Sequence, residues 1–141
     1  MKSQLSIVLA VGLLVAAGAP QEGTKDQEQI QGKWKMVSSE RNGRDRPVKV
    51  TQVIIKADKI TFVGPDGKET FDVPYKLDAA KKPKAIDVKN EKGDETSPGI
   101  YSLEGDTLKI CYARPGKQRP SEFATKPGSE LNLIVLKRDT P

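Results

Sequence analysis

The sequence contains no histidine and a single cysteine, and these two scarcities exclude several kinds of site. A disulfide-stapled domain needs pairs of cysteines, so Cys111 has no internal partner. Zinc sites draw mainly on Cys and His, which one Cys and no His cannot supply. Catalytic arrangements with His as the base, such as Ser-His-Asp and Cys-His, are excluded as well. We therefore expect no metal site and no cofactor, and we expect that the protein is not an enzyme.

Apolar residues are also scarce, at 35 % of the 141 residues, against roughly 45–50 % in a typical globular domain. Charged residues make up 30 % of the chain, and the net charge is +5. This length suits one domain. The positive charge is modest and no aromatic residues interleave with the basic ones, so we expect no nucleic-acid partner.

The first nineteen residues have the organisation of an export signal. Lys2 gives a basic start, residues 5–17 form an apolar run, and small residues follow up to Ala19. The run is too short to cross a hydrocarbon core of roughly 30 Å comfortably. We predict a signal peptide over residues 1–19, hence a periplasmic, cell-envelope or secreted protein with no stable membrane insertion after cleavage. An uncleaved membrane anchor is the alternative. Residues 20–29 form a polar lead-in.

Beyond residue 30, apolar and polar residues alternate with a period of two, which is typical of β-strands. Eight runs show the pattern, over residues 34–36, 53–55, 60–62, 71–77, 86–88, 100–103, 108–112 and 131–136. Short turns such as Asn42-Gly43 separate them and favour antiparallel neighbours. Because closing the sheet removes its edges, we predict an all-β domain at residues 30–138, an eight-stranded antiparallel up-and-down β-barrel. A two-sheet sandwich is the alternative.

The two ends of this region carry a further signal. Gly32-Lys33-Trp34 opens the first strand after a short N-terminal helical turn that begins near Thr24, and Arg138 follows the last run. This arrangement resembles the G-x-W signature of lipocalins, in which the Trp closes one end of the barrel and an Arg packs on its ring. Such a cation over an indole contributes roughly 0.5–2 kcal/mol. The resemblance implies that Trp34 and Arg138 close the barrel.

A more extensive resemblance covers about residues 30–138. The segments that carry it are IQGKW at 30–34, KPKAID at 82–87, GIY at 99–101, GDTLKIC at 105–111 and RPSEF at 119–123. In this order they resemble a lipocalin-like domain family with a calycin-type barrel, known chiefly from planctomycete bacteria. Its members are mostly small exported proteins or domains of larger ones. The resemblance implies a fold and a compartment, but it implies no activity and no set of ligand-binding residues.

An eight-stranded barrel is just wide enough for side chains to fill it or for one small ligand. Both outcomes stay open at this point. The apolar side chains that we predict to line a ligand cavity are Met36, Ile55, Phe62, Phe71, Val73, Ile110 and Leu133. Cys111 has the opposite parity to Ile110 and is expected to face outward, buried under a loop. We predict an exported lipocalin-like protein that binds a small apolar or amphipathic ligand.

The longest connection spans residues 114–130, and loops of this length are frequently functional. Its candidate contact residues at the barrel rim are Arg114, Lys117, Arg119 and Phe123. The alternative function is therefore a protein-interaction or inhibitor module of the cell envelope that acts through the rim and this loop. A solvated loop held by Phe123 on the barrel mouth is the structural alternative. The oligomeric state is left open.

Overall fold

The computed structural model describes residues 25–139, apart from the side chains of residues 69 and 70. The predicted signal peptide and the predicted helix start at Thr24 lie outside these residues. A short helix, α1, covers residues 25–29. The strands are β1 (Gly32–Arg41), β2 (Arg44–Asp45), β3 (Gln52–Ile55), β4 (Lys59–Val63), β5 (Glu69–Asp78), β6 (Ala85–Lys89), β7 (Thr96–Glu104), β8 (Thr107–Tyr112) and β9 (Asn132–Arg138).

Eight of these strands form one closed antiparallel sheet. The strand order is β1-β3-β4-β5-β6-β7-β8-β9, and β9 returns to pair with β1. The predicted eight-stranded up-and-down barrel is thus confirmed, and the sandwich alternative is wrong because the sheet closes on itself. The ninth strand, β2, pairs only with the end of β1. The turn between them places Asn42 and Gly43 at φ values of 54° and 79°, as a two-residue hairpin requires.

The two ends of the barrel differ in what covers them. We call one end the closed end: it carries α1 and the connections at residues 56–58, 79–84 and 105–106. We call the other end the mouth: it carries the connections at residues 42–51, 64–68, 90–95 and 113–131. The connection at residues 113–131 is called the long connection below. The helix therefore lies at one end, and the two longest connections, at residues 42–51 and 113–131, lie at the other.

Side chains fill the interior next to the closed end. Trp34, Ile86, Tyr101, Leu108 and Leu136 point inward there from five strands, and each is at most 1 % exposed. Burial of large apolar side chains stabilises the fold by about 1.5–3 kcal/mol each relative to exposure, as an upper estimate. The half of the barrel next to the closed end therefore holds the hydrophobic core.

The helix α1 is attached to the closed end by polar contacts. The carboxylate of Asp26, which is 6 % exposed, accepts hydrogen bonds from Lys84 Nζ at 2.9 Å and from the Tyr101 hydroxyl at 2.7 Å. The Gln27 side-chain amide donates to the Tyr75 hydroxyl oxygen at 2.8 Å. A buried carboxylate is costly unless it is paired, and Asp26 has both a cation and a hydroxyl donor. Within residues 25–139, no helix is both long enough and apolar enough to span a membrane.

Trp34 and Arg138 meet at the closed end. The Arg138 guanidinium carbon lies 4.0 Å from the centroid of the Trp34 ring. The guanidinium also donates to the carbonyls of Gln31, at 2.7 Å, and Gln29, while the indole Nε1 donates to the Ile30 carbonyl at 2.9 Å. Arg138 thus holds the ring and supplies two carbonyls at the end of α1 with donors. At the closed end, these contacts join the last strand, β9, to α1 and to the first strand, β1.

The glycine before the tryptophan is required for two reasons. Gly32 has a φ of 126°, which L side chains rarely adopt. A Cβ atom at this position would lie 2.9 Å from Arg138 Nη1. That nitrogen is the far end of a flexible side chain, but its hydrogen bonds and its contact with the indole hold it in place. Arg138 thus contacts both ends of the G-x-W motif: its guanidinium packs on the Trp34 ring and leaves no room for a side chain at Gly32.

Strand β1 contains a β-bulge at Val37, which is 54 % exposed. A bulge inserts one extra residue and shifts the alternation of the residues that follow. Met36 faces the interior before the bulge, and Ser39 and Arg41 face it after the bulge. Without the bulge, an uninterrupted alternation from Met36 would instead turn Glu40 inward. In the structure, Glu40 accepts a hydrogen bond from Thr125 on the outer face.

The long connection packs against the outer wall of the barrel. Cys111 faces outward from β8, is fully buried, and lies with its Sγ 3.9 Å from the Ala124 carbonyl oxygen. Its cross-strand neighbour on β7, Ile100, is also fully buried. The Thr125 hydroxyl accepts a hydrogen bond from the Gly43 amide at 2.8 Å. The long connection thus covers apolar residues of the outer wall, which need cover from water. That Phe123 holds this loop on the mouth stays a prediction.

Candidate functional site

A cavity of about 540 Å³ opens at the mouth and reaches along β3 and β4 to Ile55 and Ile60, beside the closed-end connection at residues 56–58. Small-molecule sites in proteins typically have volumes of roughly 300–1,000 Å³. The cavity ends where the packed core begins, and near the mouth it is lined by exposed residues such as Arg46 and Lys49. The interior is therefore neither wholly filled nor wholly hollow. Side chains fill the base of the barrel, and the space above them is open at the mouth.

Six of the seven predicted cavity residues line this space: Met36, Ile55, Phe62, Phe71, Val73 and Ile110. The seventh, Leu133, needs a correction. It pairs with Glu40 on one side and Cys111 on the other, and both of these residues face outward. Ile134 and Leu136 take the inward positions on β9. Both faces of β9 are apolar because the long connection covers the outer one, so alternation alone does not identify the inner face.

The wall of the cavity that β3, β4 and β5 form is apolar. Phe62 on β4 and Phe71 on β5 are cross-strand partners, and their rings stack with centroids 4.7 Å apart and an interplanar angle of 25°. Val53, Ile60 and Val73 continue the wall towards the core. These side chains offer no hydrogen-bond donors or acceptors. A polar group placed against them would lose its water without gaining a partner, so this part of the cavity suits an apolar group.

The mouth of the cavity is polar and cationic. Four lining residues carry positive charge: Arg41, Arg46, Lys49 and Lys89. Among the described side chains that line the cavity, none is acidic. Two neutral polar residues, Tyr112 and Asn132, lie at the same level. Polarity thus changes within the cavity, from the apolar wall on β3, β4 and β5 to the cationic residues at the mouth.

Tyr112 is influenced both by burial and by a neighbouring positive charge. Burial raises the pKa of the Tyr112 hydroxyl above its ordinary value of 10.0, and the nearby charge of Arg41 acts in the opposite direction. The hydroxyl therefore stays protonated at neutral pH and remains a hydrogen-bond donor.

A second cleft of about 520 Å³ adjoins the mouth on the outside. It lies between the β1–β2 hairpin and the long connection, and it is lined by Arg41, Asn42, Arg44, Asp45, Arg46, Pro47, Pro127 and Gly128. Arg41, Arg46 and Pro47 line both spaces. The cavity and the cleft therefore share three lining residues, two of which are arginines.

The four predicted rim residues lie on the long connection and do not line the cavity. Arg119 Nη1 donates to the Gly99 carbonyl at 2.9 Å and to the Ile86 carbonyl at 3.3 Å, and Nη2 lies 2.8 Å from Asp87 Oδ1. Arg114 Nη1 lies 3.6 Å from Glu130 Oε1, Phe123 is half-buried and Lys117 is exposed. Arg119 thus fastens the long connection to β6 and β7, a role that no sequence pattern indicates.

The cationic residues of the mouth were not found from the sequence. Arg41 lies beyond the bulge, and the only sequence signal of the bulge is the apolar pair Met36-Val37, which interrupts the alternation. Arg46 and Lys49 lie in the segment at residues 46–50, which has no regular secondary structure and no periodic pattern. Their position at the mouth follows from the closure of the barrel.

Metal binding has no obvious place in the described part of the chain, where no three of its Cys, Asp and Glu side chains come together as a ligand group. In the loop at residues 90–95, the Asp94 carboxylate accepts a hydrogen bond from the Asn90 side chain at 2.7 Å.

Comparison with protein-family models, with curated proteins and with solved structures gives no match for this chain. The resemblance to a planctomycete lipocalin-like family therefore stays a prediction.

Proposed function

We propose that the protein binds one small molecule with an apolar body inside its barrel and releases it unchanged. The observation that carries this proposal is the cavity of about 540 Å³ with an apolar wall. Protein interiors are packed as densely as organic crystals, with few voids larger than a water molecule. An apolar space of this size forgoes packing contacts and so lowers the stability of the fold. A bound ligand would restore packing contacts inside the cavity and so offset this cost in stability.

The distribution of polarity supports an apolar or amphipathic ligand. The Phe62–Phe71 wall and the aliphatic side chains below it would surround the apolar part. Polar groups gather only at the mouth, so a polar end of the ligand would remain there in contact with water. The solid core beneath the cavity limits how deep the ligand can go. One orientation is favoured, with the apolar end inward.

Two parts of the proposal depend on the sequence alone. The predicted signal peptide at residues 1–19 would direct export of the protein from the cytoplasm. The exported protein would then carry or store its ligand. The absence of histidine from the sequence leaves the cavity without the usual catalytic base, which supports binding without a chemical step. The alternative, a protein-interaction module acting through the long connection, is not favoured, because Arg119 already has three intramolecular partners.

The experiment compares two tryptophan substitutions. Val88→Trp places an indole inside the cavity, whereas Val135→Trp places one on the outer face of β9, since Val88 lines the cavity and Val135 does not. Binding of a neutral apolar fluorophore, N-phenyl-1-naphthylamine, is measured by fluorescence titration. We expect one site in the unmodified protein and in Val135→Trp, and at least a tenfold weaker site in Val88→Trp. Absence of binding to the unmodified protein, or equal binding by both variants, would contradict the proposal.

A further inference from the structure

Three polar side chains form a continuous row on the inner face of the barrel at its mouth. Arg41 on β1 is the cross-strand partner of Asn132 on β9, and Asn132 is the partner of Tyr112 on β8. All three line the cavity. Directly opposed residues in a sheet have Cβ atoms about 4.5–5.5 Å apart, so neighbouring side chains in this row can reach one small group together.

This row is rich in hydrogen-bond donors. A guanidinium presents five N–H donors in a planar fork, a carboxamide presents two and a phenol presents one. Donors of this kind, with a fixed positive charge among them, suit an oxyanion better than a neutral polar group, because hydrogen bonds between ionised partners are about twice as strong. The row is therefore built to receive a carboxylate or a phosphate.

The surrounding charges have the same sign. Arg46, Lys49 and Lys89 stand around the mouth with Arg41, and none of these four takes part in the ion pairs found among the described residues. Asp45 lines the adjoining cleft but forms no described ion pair with Arg41 or Arg46. Positive charge therefore predominates among the residues that line the cavity, and in a partly water-excluded space it attracts anions more strongly than it would in water.

We propose that the ligand of this barrel is an anionic amphiphile, with its hydrocarbon chain in the cavity and its carboxylate or phosphate group against Arg41, Asn132 and Tyr112. This inference rests on the proposed binding function and names the class of ligand. Arg46 and Lys49 meet the same headgroup from the side of the solvent. The adjoining arginine-lined cleft gives room for a headgroup larger than a carboxylate.

The test uses four probes with the same twelve-carbon chain: dodecanoate, dodecyl phosphate, dodecanol and dodecyltrimethylammonium. Each is titrated into the protein by isothermal titration calorimetry at 20 mM and at 300 mM NaCl, the ionic probes below their critical micelle concentrations and dodecanol below its solubility limit. At low salt we expect at least one anion to bind roughly tenfold or more tightly than dodecanol, and the ammonium to bind most weakly. Salt screens charges, so the preference for the anion should shrink at 300 mM NaCl. The ratio between the two anions identifies which headgroup the mouth prefers.

Two variants connect the preference to the residues. In the double variant Arg41→Gln, Arg46→Gln, we expect the ratio of anion affinity to dodecanol affinity to fall to near one. The double variant Lys109→Gln, Lys137→Gln is the matched control, because it removes two charges from exposed positions on the outer faces of β8 and β9. It should keep the ratio of the unmodified protein. Thermal unfolding of each variant checks that the fold is intact, and the salt dependence of the unmodified protein tests the proposal without any variant.

The outcomes separate the two proposals. If dodecanol binds as tightly as both anions, or if the ammonium binds best, the anionic ligand is refuted while the proposed binding function stands. A preference for the anions that survives in the double variant refutes the assignment to Arg41 and Arg46. If none of the four probes binds while N-phenyl-1-naphthylamine does, this inference fails and the binding function stands; if that fluorophore does not bind either, both fail.

Discussion

Replacing Trp34 by alanine should remove the strongest single contribution to the closed end. The indole is fully buried, and truncation of a buried Trp to Ala typically costs about 3–5 kcal/mol. The change also leaves the Ile30 carbonyl without its 2.9 Å donor, which adds about 1 kcal/mol or more. We therefore expect a loss of about 5 kcal/mol in the free energy of unfolding, which is comparable to the whole stability of many small domains.

The assay is urea denaturation followed by far-ultraviolet circular dichroism, because the variant lacks the tryptophan needed for fluorescence. Val37→Ala is the control, since Val37 is 54 % exposed and surface substitutions usually change stability by less than about 0.5 kcal/mol. A double-mutant cycle with Arg138→Met isolates the contact between the guanidinium and the ring, for which we expect a coupling of roughly 0.5–2 kcal/mol. If Trp34→Ala costs less than about 1 kcal/mol, the ring does not close the barrel and the reasoning is refuted.

Three further outcomes follow from the structure. Gly32→Ala should cost about 1–3 kcal/mol in chemical denaturation, because a residue with a Cβ is strained at this φ and would displace Arg138; an unchanged midpoint would contradict this. Arg119→Gln should cost roughly 1–3 kcal/mol and should speed amide hydrogen exchange across the long connection without changing binding of N-phenyl-1-naphthylamine; unchanged exchange would show that the connection is held by other contacts. Burial raises the pKa values of Cys111 and Tyr112 above 9.0 and 10.0, so above about pH 9 the unfolded chain loses these protons before the folded one, and the free energy of unfolding should fall as the pH rises. Cys111→Ala should reduce that fall, and a free energy that rises between pH 9 and 11 would be the opposite of the prediction.

The fold was predictable because most barrel strands keep a period of two and most connections between them are short. The residues that close the barrel could be found from the motif at Gly32-Lys33-Trp34 and from the position of Arg138. Their physical relation could not, because the contact between Gly32 and Arg138 joins residues at opposite ends of the domain. Only the closure of the sheet brings them together.

The candidate site was predictable in its apolar half and missed in its polar half. Apolar alternation identifies residues such as Ile55 and Val73, because they must avoid water whether they line a cavity or a core. It fails at Leu133, where a loop gives the outer face an apolar environment too. The volume left empty depends on the relative placement of eight strands. The cationic mouth depends on a bulge and an irregular segment, and neither has a periodic signature.

The bulge at Val37 also has a consequence for how related chains should be aligned. Insertions and deletions are normally assigned to loops, yet Val37 is an extra residue within a barrel strand. A relative that lacks it would keep the same inward residues on both sides of the missing position and would remain an eight-stranded barrel. An alignment without a gap there would match Arg41 to a residue of the opposite face. In an alignment with such a relative, the gap for a one-residue difference in length should therefore be aligned with Val37. The charged residues at the mouth can be compared only after this gap is placed.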